Sequence, residues 1–256
     1  MKRKSESRQE RKMIIGAVAM LIIATLLFGL ATEPGMNLMQ KVKNAVMPKT
    51  SITISAANNE TLKNKITEAK LVAGYNHFIA LTADGKVYGW GYNGYGQLGI
   101  GDTANRIKPT KSNLQKIKQI AANEYSTIAL TEDGEIYGAG YNTEGELGLG
   151  YNQEKVLKWG KVKDPNGKDD ISNATQIATG RYHIVVLTNN GKVYSAGYNN
   201  VYQLADGTTT YKNVLAPMKD NSDNEMTNIK NIYASGYCSY VLTNTNEVYA
   251  VGYNNY

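Results

Sequence analysis

The 256-residue chain is poor in cysteine, histidine, phenylalanine, tryptophan and proline. Cys238 is the only cysteine, so no disulfide can form within the chain, and a small disulfide-stabilised scaffold is excluded. Two Phe, two Trp and five Pro contrast with 19 Tyr and 25 Gly, a composition that favours short strands and tight turns over long helices. With 42% of its residues apolar, the chain can bury a core, and we predict an all-β protein.

The chain also lacks a basic region large enough to bind nucleic acid. The formal net charge is +6, but residues 1–12 contribute +4 and residues 33–50 contribute +2, which leaves residues 51–256 neutral. Because a nucleic-acid partner requires a clustered positive surface, we predict no such partner for the main part of the chain.

An uncharged apolar run of 19 residues, Met13 to Ala31, follows the basic residues 1–12. At ~1.5 Å per helical residue the run is long enough to cross a bilayer, and the cations before it predict a cytoplasmic N-terminus. We therefore expect residues 13–31 to be a transmembrane helix or a signal segment. The rest of the chain would be exported, either anchored by this single pass or secreted after cleavage behind Ala31.

Residues 32–65 carry the breakers Pro34, Gly35 and Pro48 and are interpreted as a linker between the membrane and the folded part. The folded part, residues 66–256, is built from an internal repeat. Four segments align without gaps, among them "KQIAANEYSTIALTEDGEIYGAGYN", and they end at Asn93, Asn142, Asn199 and Asn254. The spacings of 49, 57 and 55 residues indicate one repeated unit with insertions of variable length.

Each copy contains two β-rich runs around a turn. Asp84-Gly85, Asp133-Gly134 and Asn190-Gly191 predict two-residue hairpin turns with positive φ at both central residues. The fourth copy has Thr245-Asn246, for which we predict a weaker or different turn. The runs alternate poorly between polar and apolar residues, as expected for strands buried on both faces.

The tripeptide Gly-Tyr-Asn ends the second run of every copy. Its glycines and asparagines are interpreted as structural, with Gly allowing close backbone approach and Asn bonding the backbone of the following turn. These residues are Gly91, Asn93, Gly140, Asn142, Gly197, Asn199, Gly252 and Asn254. The alternative is that Tyr92, Tyr141, Tyr198 and Tyr253 form four identical ligand loops.

The stretch "AGYNHFIALTADGKVYGWGYNGYGQLGIGD" resembles the repeat of the regulator of chromosome condensation (RCC1) family, and the resemblance covers about residues 66–256. In that family each repeat contributes to a four-stranded blade of a closed seven-bladed β-propeller. The resemblance therefore implies a partial β-propeller of about three and a half repeats, because the fourth copy stops before its "GQLG" segment. We expect a truncated or fragmentary sequence, the alternative being a half-propeller that closes by self-association.

No set of catalytic residues converges in the sequence. His77 and His183 share one repeat position with Ser126 and Cys238, so each belongs to a different blade. We predict a structural role for both histidines, with each side chain bonding within its own blade, and the family resemblance also implies a structural His here. No cofactor or metal site is predicted, and the protein is not expected to be an enzyme.

The predicted function is a non-enzymatic protein-binding module displayed outside the membrane, with a protein partner that the sequence does not name. Function in repeat scaffolds lies in exposed loops, and Tyr and Trp are enriched at interfaces. The candidate contact residues in the loops are Tyr95, Tyr151, Trp159, Tyr202 and Tyr211. The alternatives are a guanine-nucleotide exchange factor like the nuclear member of the family, or a secreted enzyme inhibitor.

Overall fold

The structure is a computed structural model that describes residues 70–254. The segments predicted for residues 1–12, 13–31 and 32–65 lie outside these residues. Within residues 70–254 no helix is long and apolar enough to cross a membrane. All fifteen elements of this part of the chain are β-strands, which confirms the all-β prediction.

The strands form four antiparallel sheets, here named blades 1 to 4, each a meander of consecutive strands. Blade 1 contains β1 (Lys70–Ala73), β2 (His77–Leu81), β3 (Val87–Gly91) and β4 (Arg106–Lys111). Blade 2 contains β5 (Ile117–Ala122), β6 (Ser126–Thr131), β7 (Ile136–Asn142) and β8 (Gln153–Lys161). Blade 3 contains β9 (Ala174–Thr179), β10 (His183–Thr188), β11 (Val193–Gly197) and β12 (Lys212–Pro217). Blade 4 has three described strands, β13 (Ile229–Ser235), β14 (Cys238–Thr243) and β15 (Val248–Gly252). These sheets are consistent with the blades of a partial β-propeller.

The hydrophobic core lies between the blades. One layer joins blades 1 and 2 through residues such as Ile79 and Ile120, and further layers join blades 2 and 3 and blades 3 and 4. Every residue of β6 and β10 is buried, because each of these strands has a blade on both sides. In β2 and β14, which have a described blade on one side, buried and half-buried residues alternate. The predicted burial on both faces thus holds for the two inner blades.

The hairpin turns differ from the prediction. In blade 1, Thr82 N donates to Lys86 O at 2.9 Å and Gly85 N donates to Thr82 O at 2.9 Å. Gly85 has φ of 74°, whereas Asp84 does not have positive φ. This is a three-residue loop, a type I turn followed by one left-handed residue, so the predicted two-residue turn with two positive φ values is wrong.

The turn in the fourth copy has the same form as the others. Thr243 N donates to Glu247 O at 2.9 Å, and Asn246 takes the left-handed position with φ of 64°. The prediction of a different turn is therefore wrong. Since only one position needs positive φ, and Asn tolerates it better than most residues, Asn246 replaces glycine without changing the loop.

The first strands of neighbouring blades lie side by side and are joined by glutamine side chains. Gln119 Nε2 donates to Ile177 O at 2.7 Å, and Gln119 Oε1 accepts from Ile177 N at 3.0 Å. Gln176 makes the same pair of bonds with Ile232 in blade 4. Each amide thus supplies the backbone bonds that a paired strand would otherwise provide, and it fixes the relative position of two blades.

Candidate functional site

Two kinds of loop meet at one edge of every blade, the turn between the first two strands and the Gly-Tyr-Asn segment after the third. Their backbones are bonded directly, since Tyr141 N donates to Tyr125 O at 3.0 Å and Tyr198 N donates to Tyr182 O at 2.9 Å. Blades 1 and 4 have the equivalent bonds. The sequence therefore places two tyrosines per repeat at the same edge in most copies.

Nine tyrosines at this edge form one connected network of ring contacts that crosses all four blades. We call it the tyrosine face, and it consists of Tyr75, Tyr92, Tyr95, Tyr125, Tyr141, Tyr182, Tyr198, Tyr211 and Tyr237. Ring centroids lie 5.2 Å apart between Tyr95 and Tyr141, and 6.3 Å apart between Tyr141 and Tyr182. Most of the rings meet edge-on or tilted, the arrangement that the aromatic quadrupole favours.

An ion pair lies at the centre of the tyrosine face. Arg181 of blade 3 donates from Nε to Glu124 Oε2 of blade 2, and from Nη2 to Glu124 Oε1 at 3.2 Å. The same guanidinium lies over the rings of Tyr182 and Tyr237, 5.2 and 5.7 Å from their centroids. The hydrogen bond from Arg181 lowers the pKa of Glu124. Because the two charges compensate each other, the pair adds no net charge to the face.

The Gly-Tyr-Asn segment ends the third strand as the sequence interpretation requires. Gly91 has φ of 100°, and a side chain there would lie 2.5 Å from Asn76 O. Asn93 Oδ1 accepts from Leu98 N at 3.0 Å, and Asn93 Nδ2 donates to Asp102 O at 2.8 Å. Blades 2 and 3 repeat this arrangement through Gly140 with Asn142 and Gly197 with Asn199. Gly252 has φ of 124°, and Asn254 is exposed.

The two histidines bond to a neighbouring blade, contrary to the prediction that each would bond within its own. His77 Nε2 lies 3.0 Å from Thr127 Oγ1 in blade 2, and His183 Nε2 lies 2.9 Å from Ser239 Oγ in blade 4. Both rings are fully buried, and burial lowers the pKa of each imidazole to about 4. The side chains point out of their own sheet into the layer between blades, where the next blade supplies the hydroxyl group.

The residue three positions before each histidine lies directly against the imidazole ring, which leaves no room for a side chain there. Gly74 and Gly180 occupy this position in blades 1 and 3, and a Cβ on either would overlap the His77 or His183 ring. Blade 2 has Asn123 there and Ser126 in place of histidine, and the Asn123 Oδ1 atom accepts from Ser126 N and Oγ at 2.7 Å each. The amide side chain thus takes the place of the imidazole in blade 2, and blade 4, which has Cys238 in place of histidine, also carries a side chain at this position, Ser235.

The loop after the third strand carries a buried polar side chain that differs in charge between blades. Gln97 and Gln203 are fully buried in blades 1 and 3, and Glu146 is buried at the equivalent position of blade 2. Glu146 Oε2 accepts from Glu144 N at 2.8 Å, whereas Oε1 has no hydrogen-bond partner. Burial raises the pKa of the Glu146 carboxyl to about 7.

Only two of the five residues predicted to bind a partner lie on the tyrosine face. Tyr95 and Tyr211 belong to the tyrosine face, whereas Tyr151 and Tyr202 are 43% and 56% exposed and make no ring contact with it. Trp159 is half-buried against the core of blades 1 and 2, and its Nε1 atom donates to Ser112 Oγ at 2.8 Å. The loops therefore do not form one contact surface, and only part of the predicted set converges.

Sequence reasoning missed the tyrosines and the ion pair contributed by the first turn of each blade. Tyr125, Tyr182 and Tyr237 share one repeat position directly before the histidine position, and Glu124 and Arg181 share the position before that. The recurrence of Tyr beside a turn was the available signal. Among residues 70–254, no group of three His, Cys, Asp or Glu side chains is placed to hold a metal ion.

Comparison with family models identifies the repeat. Two models described as regulator of chromosome condensation (RCC1) repeat match the chain, one at residues 69–97, 117–146 and 174–203 and the other at residues 84–130 and 133–187. Together the matches run without a break from residue 69 to residue 203, more than half of the chain.

Curated relatives share the repeat region only. The chain is 29% identical over 145 residues to the ultraviolet-B receptor UVR8 of Arabidopsis thaliana, covering 54% of this chain and 31% of that protein. It is 31% identical over 155 residues to the probable E3 ubiquitin-protein ligase HERC3 of Homo sapiens, covering 59% of this chain and 14% of that protein. The chain thus spans less than a third of either relative.

Solved structures with the same fold include human WBSCR16, with a TM-score of 0.61, 24% identity, and coverage of 73% of this chain and 48% of that one. Prp20p from Saccharomyces cerevisiae has a TM-score of 0.57 and 24% identity, over 73% of this chain and 44% of that one. These identities support the fold alone. The family-model matches, which agree with the four repeated blades, show that the chain belongs to the RCC1 repeat family.

Proposed function

We propose that the repeats form a non-enzymatic protein-binding module and that the tyrosine face is its contact surface. The observation that carries the proposal is the ring network, which continues without interruption from blade 1 to blade 4. Tyrosine supplies a large contact area and a polar hydroxyl at a small cost in side-chain entropy, and it is enriched at the energetic centres of protein interfaces.

The rigidity of the face supports the same function. Each ring is held by its neighbours, the turns beneath are joined by backbone hydrogen bonds within a blade, and the first strands of blades 2 to 4 are joined by Gln119 and Gln176. A surface whose side chains are already ordered loses little freedom when a partner binds. The face is therefore suited to binding more than to conformational switching.

Site-specific photo-crosslinking tests the contact surface. A photoreactive phenylalanine analogue replaces Tyr141 or Tyr211 in the full chain, produced in the cells that normally make it, and Tyr151 serves as the exposed control outside the network. We expect a discrete crosslinked protein band from the two network positions and none from Tyr151. Equal crosslinking from all three positions, or none from the network, would overturn the proposal.

We further propose that the module is displayed outside the membrane, with residues 13–31 as the anchor and residues 1–12 in the cytoplasm. The apolar run behind a basic segment supports this orientation. Protease added to intact cells is expected to remove the repeats and leave a small N-terminal fragment in the membrane fraction. Repeats that are digested only after the cells are opened would contradict this location.

A further inference from the structure

One pair of rings in the tyrosine face is closer and more nearly parallel than the others. The centroids of Tyr198 and Tyr211 lie 4.8 Å apart at an interplanar angle of 34°, whereas the other ring pairs of the face lie 5.1–6.4 Å apart at angles of 49–80°. We propose that this pair is an oxidative crosslinking site, at which a haem peroxidase acting with hydrogen peroxide joins the two rings as dityrosine. The modification is independent of the partner binding proposed above.

The strand register of blade 3 places the two tyrosines opposite each other. Gly197 of β11 pairs with Lys212 of β12 in an antiparallel ladder. Tyr198 follows Gly197 and Tyr211 precedes Lys212, so the two tyrosines are the next residues on the two strands. Side chains at opposed positions of an antiparallel pair are direct neighbours. The backbone of the blade, as well as the ring contact, therefore holds the pair together.

Blades 1 and 2 do not repeat this pair. In blade 1 the residue opposite Tyr92 is Asn105. In blade 2 the residues opposite Tyr141 are Glu154 and Lys155, within a bulge of the fourth strand. Among the three blades with a described fourth strand, only blade 3 thus sets a tyrosine beside the recurring Gly-Tyr-Asn tyrosine across the strand pair.

The two phenol oxygens of the pair lie next to each other. Burial raises the pKa of Tyr211, and the contact with the Tyr198 hydroxyl raises this pKa further. Adjacent phenol oxygens bring together the ring carbons beside them, which are the ortho carbons that join in dityrosine. The small angle between the ring planes favours this approach, because in a T-shaped pair the edge of one ring meets the face of the other.

Hydrogen peroxide supplies the oxidising equivalents for the coupling. Each phenol gives up one electron and its hydroxyl proton, which leaves a phenoxyl radical with spin density on the ortho carbons. A carbon–carbon bond forms between two ortho carbons, and the hydrogen on each of them moves as a proton to restore the hydroxyl groups. The two tyrosines thus lose two electrons and two protons in all. Peroxide takes these up with cleavage of its oxygen–oxygen bond and forms two molecules of water.

Exposure and ring contact explain how both rings are oxidised. Tyr211 is 41% exposed, so an oxidant in solution reaches it directly. Tyr198 is half-buried and contacts the rings of Tyr211, Tyr182 and Tyr237. An oxidised Tyr211 can take an electron from the Tyr198 ring beside it, and a second oxidation at the surface then produces two adjacent radicals.

The crosslink would give the chain a covalent closure that cysteine cannot provide. Cys238 is the only cysteine, so no disulfide forms within the chain. Tyr198 and Tyr211 stand at the two ends of the loop that Asn199 closes by hydrogen bonds to Thr208 O and Thr210 O. Joining the two rings would restrict this loop in the unfolded chain in the same way as a disulfide does.

The test treats the purified full chain in detergent micelles with a haem peroxidase and hydrogen peroxide. Proteolytic cleavage before Asp206 separates the two tyrosines, so their crosslink joins two peptides, which mass spectrometry detects at their summed mass less two hydrogen atoms. The variants Tyr198→Phe and Tyr211→Phe each remove one phenol and keep the ring. Tyr202→Phe is the matched control, because Tyr202 is 56% exposed in the same loop and lies outside the ring network.

We expect the joined peptides from the wild type and from Tyr202→Phe, in a yield that does not change when the protein is diluted. Both Tyr198→Phe and Tyr211→Phe should lose this product. Its absence from the wild type, its persistence in Tyr198→Phe or its loss in Tyr202→Phe would overturn the assignment of the site. A yield that falls on dilution would show that the crosslink joins two chains, which would also contradict the proposal.

Discussion

His183 Nε2 lies 2.9 Å from Ser239 Oγ, and this hydrogen bond crosses the boundary between blades 3 and 4. Because the Ser239 hydroxyl donates to Gln203 O at 2.7 Å, it must accept from the imidazole, which assigns the ring proton to Nε2. His77 and Thr127 form the equivalent contact between blades 1 and 2. At the boundary between blades 2 and 3 the two equivalent positions hold Ser126 and Ile184. The next blade therefore supplies a hydroxyl side chain where the histidine is present and an apolar side chain where the histidine is absent.

Removing the hydroxyl partner should destabilise the fold. Thr127→Val keeps the shape of the side chain but leaves His77 Nε2 buried without a partner, and we expect a loss of about 1–3 kcal/mol. Urea denaturation of the full chain measures the loss, with Thr209→Val at an exposed loop position as the matched control. A Thr127→Val variant as stable as the control would show that the hydrogen bond between blades contributes nothing.

The buried histidines should make the protein less stable in mild acid. Their pKa is about 4 in the folded state against 6.5 for the unperturbed group, so the unfolded chain binds protons at a pH where the folded chain does not. The contribution of the two neutral histidines to the free energy of unfolding is complete above about pH 6.5 and is lost as the pH falls towards 4. Urea midpoints measured across this window should fall more steeply for the wild type than for His183→Gln, which lacks one titrating group. Equal slopes would contradict the assigned shift.

Glu146 should have the opposite effect on the pH profile. Burial raises its pKa from 4.5 to about 7. The contribution of the protonated carboxyl to the free energy of unfolding is therefore complete below about pH 4.5 and is lost as the pH rises through 7. Glu146→Gln reproduces the residue found in blades 1 and 3, and it should be more stable than the wild type above pH 7 by up to about 3 kcal/mol. Thermal melting at several pH values measures the difference, with the exposed Glu132→Gln as the control. A constant difference at all pH values would show that Glu146 does not titrate in this range.

Replacing Gly180 and His183 together should cost less stability than replacing Gly180 alone. Gly180→Asn alone forces a side chain into the imidazole ring and should destabilise blade 3 severely, by about 3 kcal/mol or more. Gly180→Asn combined with His183→Ser restores the pairing that blade 2 has in Asn123 and Ser126, so part of the loss should be recovered. Gly236 O, 2.8 Å from the new Cβ, keeps the recovery incomplete. A double variant no more stable than Gly180→Asn alone would contradict the pairing.

The sequence predicted the features that depend on a single repeat. The β-rich runs, the positions of the hairpins and the role of the asparagine after Gly-Tyr follow from local patterns, and these agree with the structure. The turn type was wrong because Asp-Gly is compatible with more than one loop length, and the register of the strands decides between them. The prediction that His77 bonds within its own blade was wrong because the contact depends on how two blades are placed relative to each other. No local sequence pattern specifies that placement.

The tyrosine face escaped prediction for a related reason. Tyr125 and Tyr141 are separated by a whole hairpin in sequence, and their backbones are bonded because the second and third strands of blade 2 run antiparallel from the same edge. The further contact between Tyr95 and Tyr141 joins residues of different blades. Two recurring tyrosine positions were visible in the repeat, but only the three-dimensional arrangement of blades makes them a single surface.

The bonds of Asn93, Asn142 and Asn199 close each following loop at its base, within nine to eleven residues of the asparagine, through contacts to the loop's own backbone. The fourth strand of each blade begins within four residues of that base, at Arg106, Gln153 and Lys212, so the closed loop fixes the point at which the chain re-enters the sheet. The connections that differ most in length lie after the fourth strand, from Lys111 to Ile117, from Lys161 to Ala174 and from Pro217 to Ile229. Residues can be inserted there at the modest entropic cost of a longer loop, without altering strand register within a blade. The repeat is thus a fixed frame that tolerates change between blades, and most of the unequal spacing of the four copies arises there.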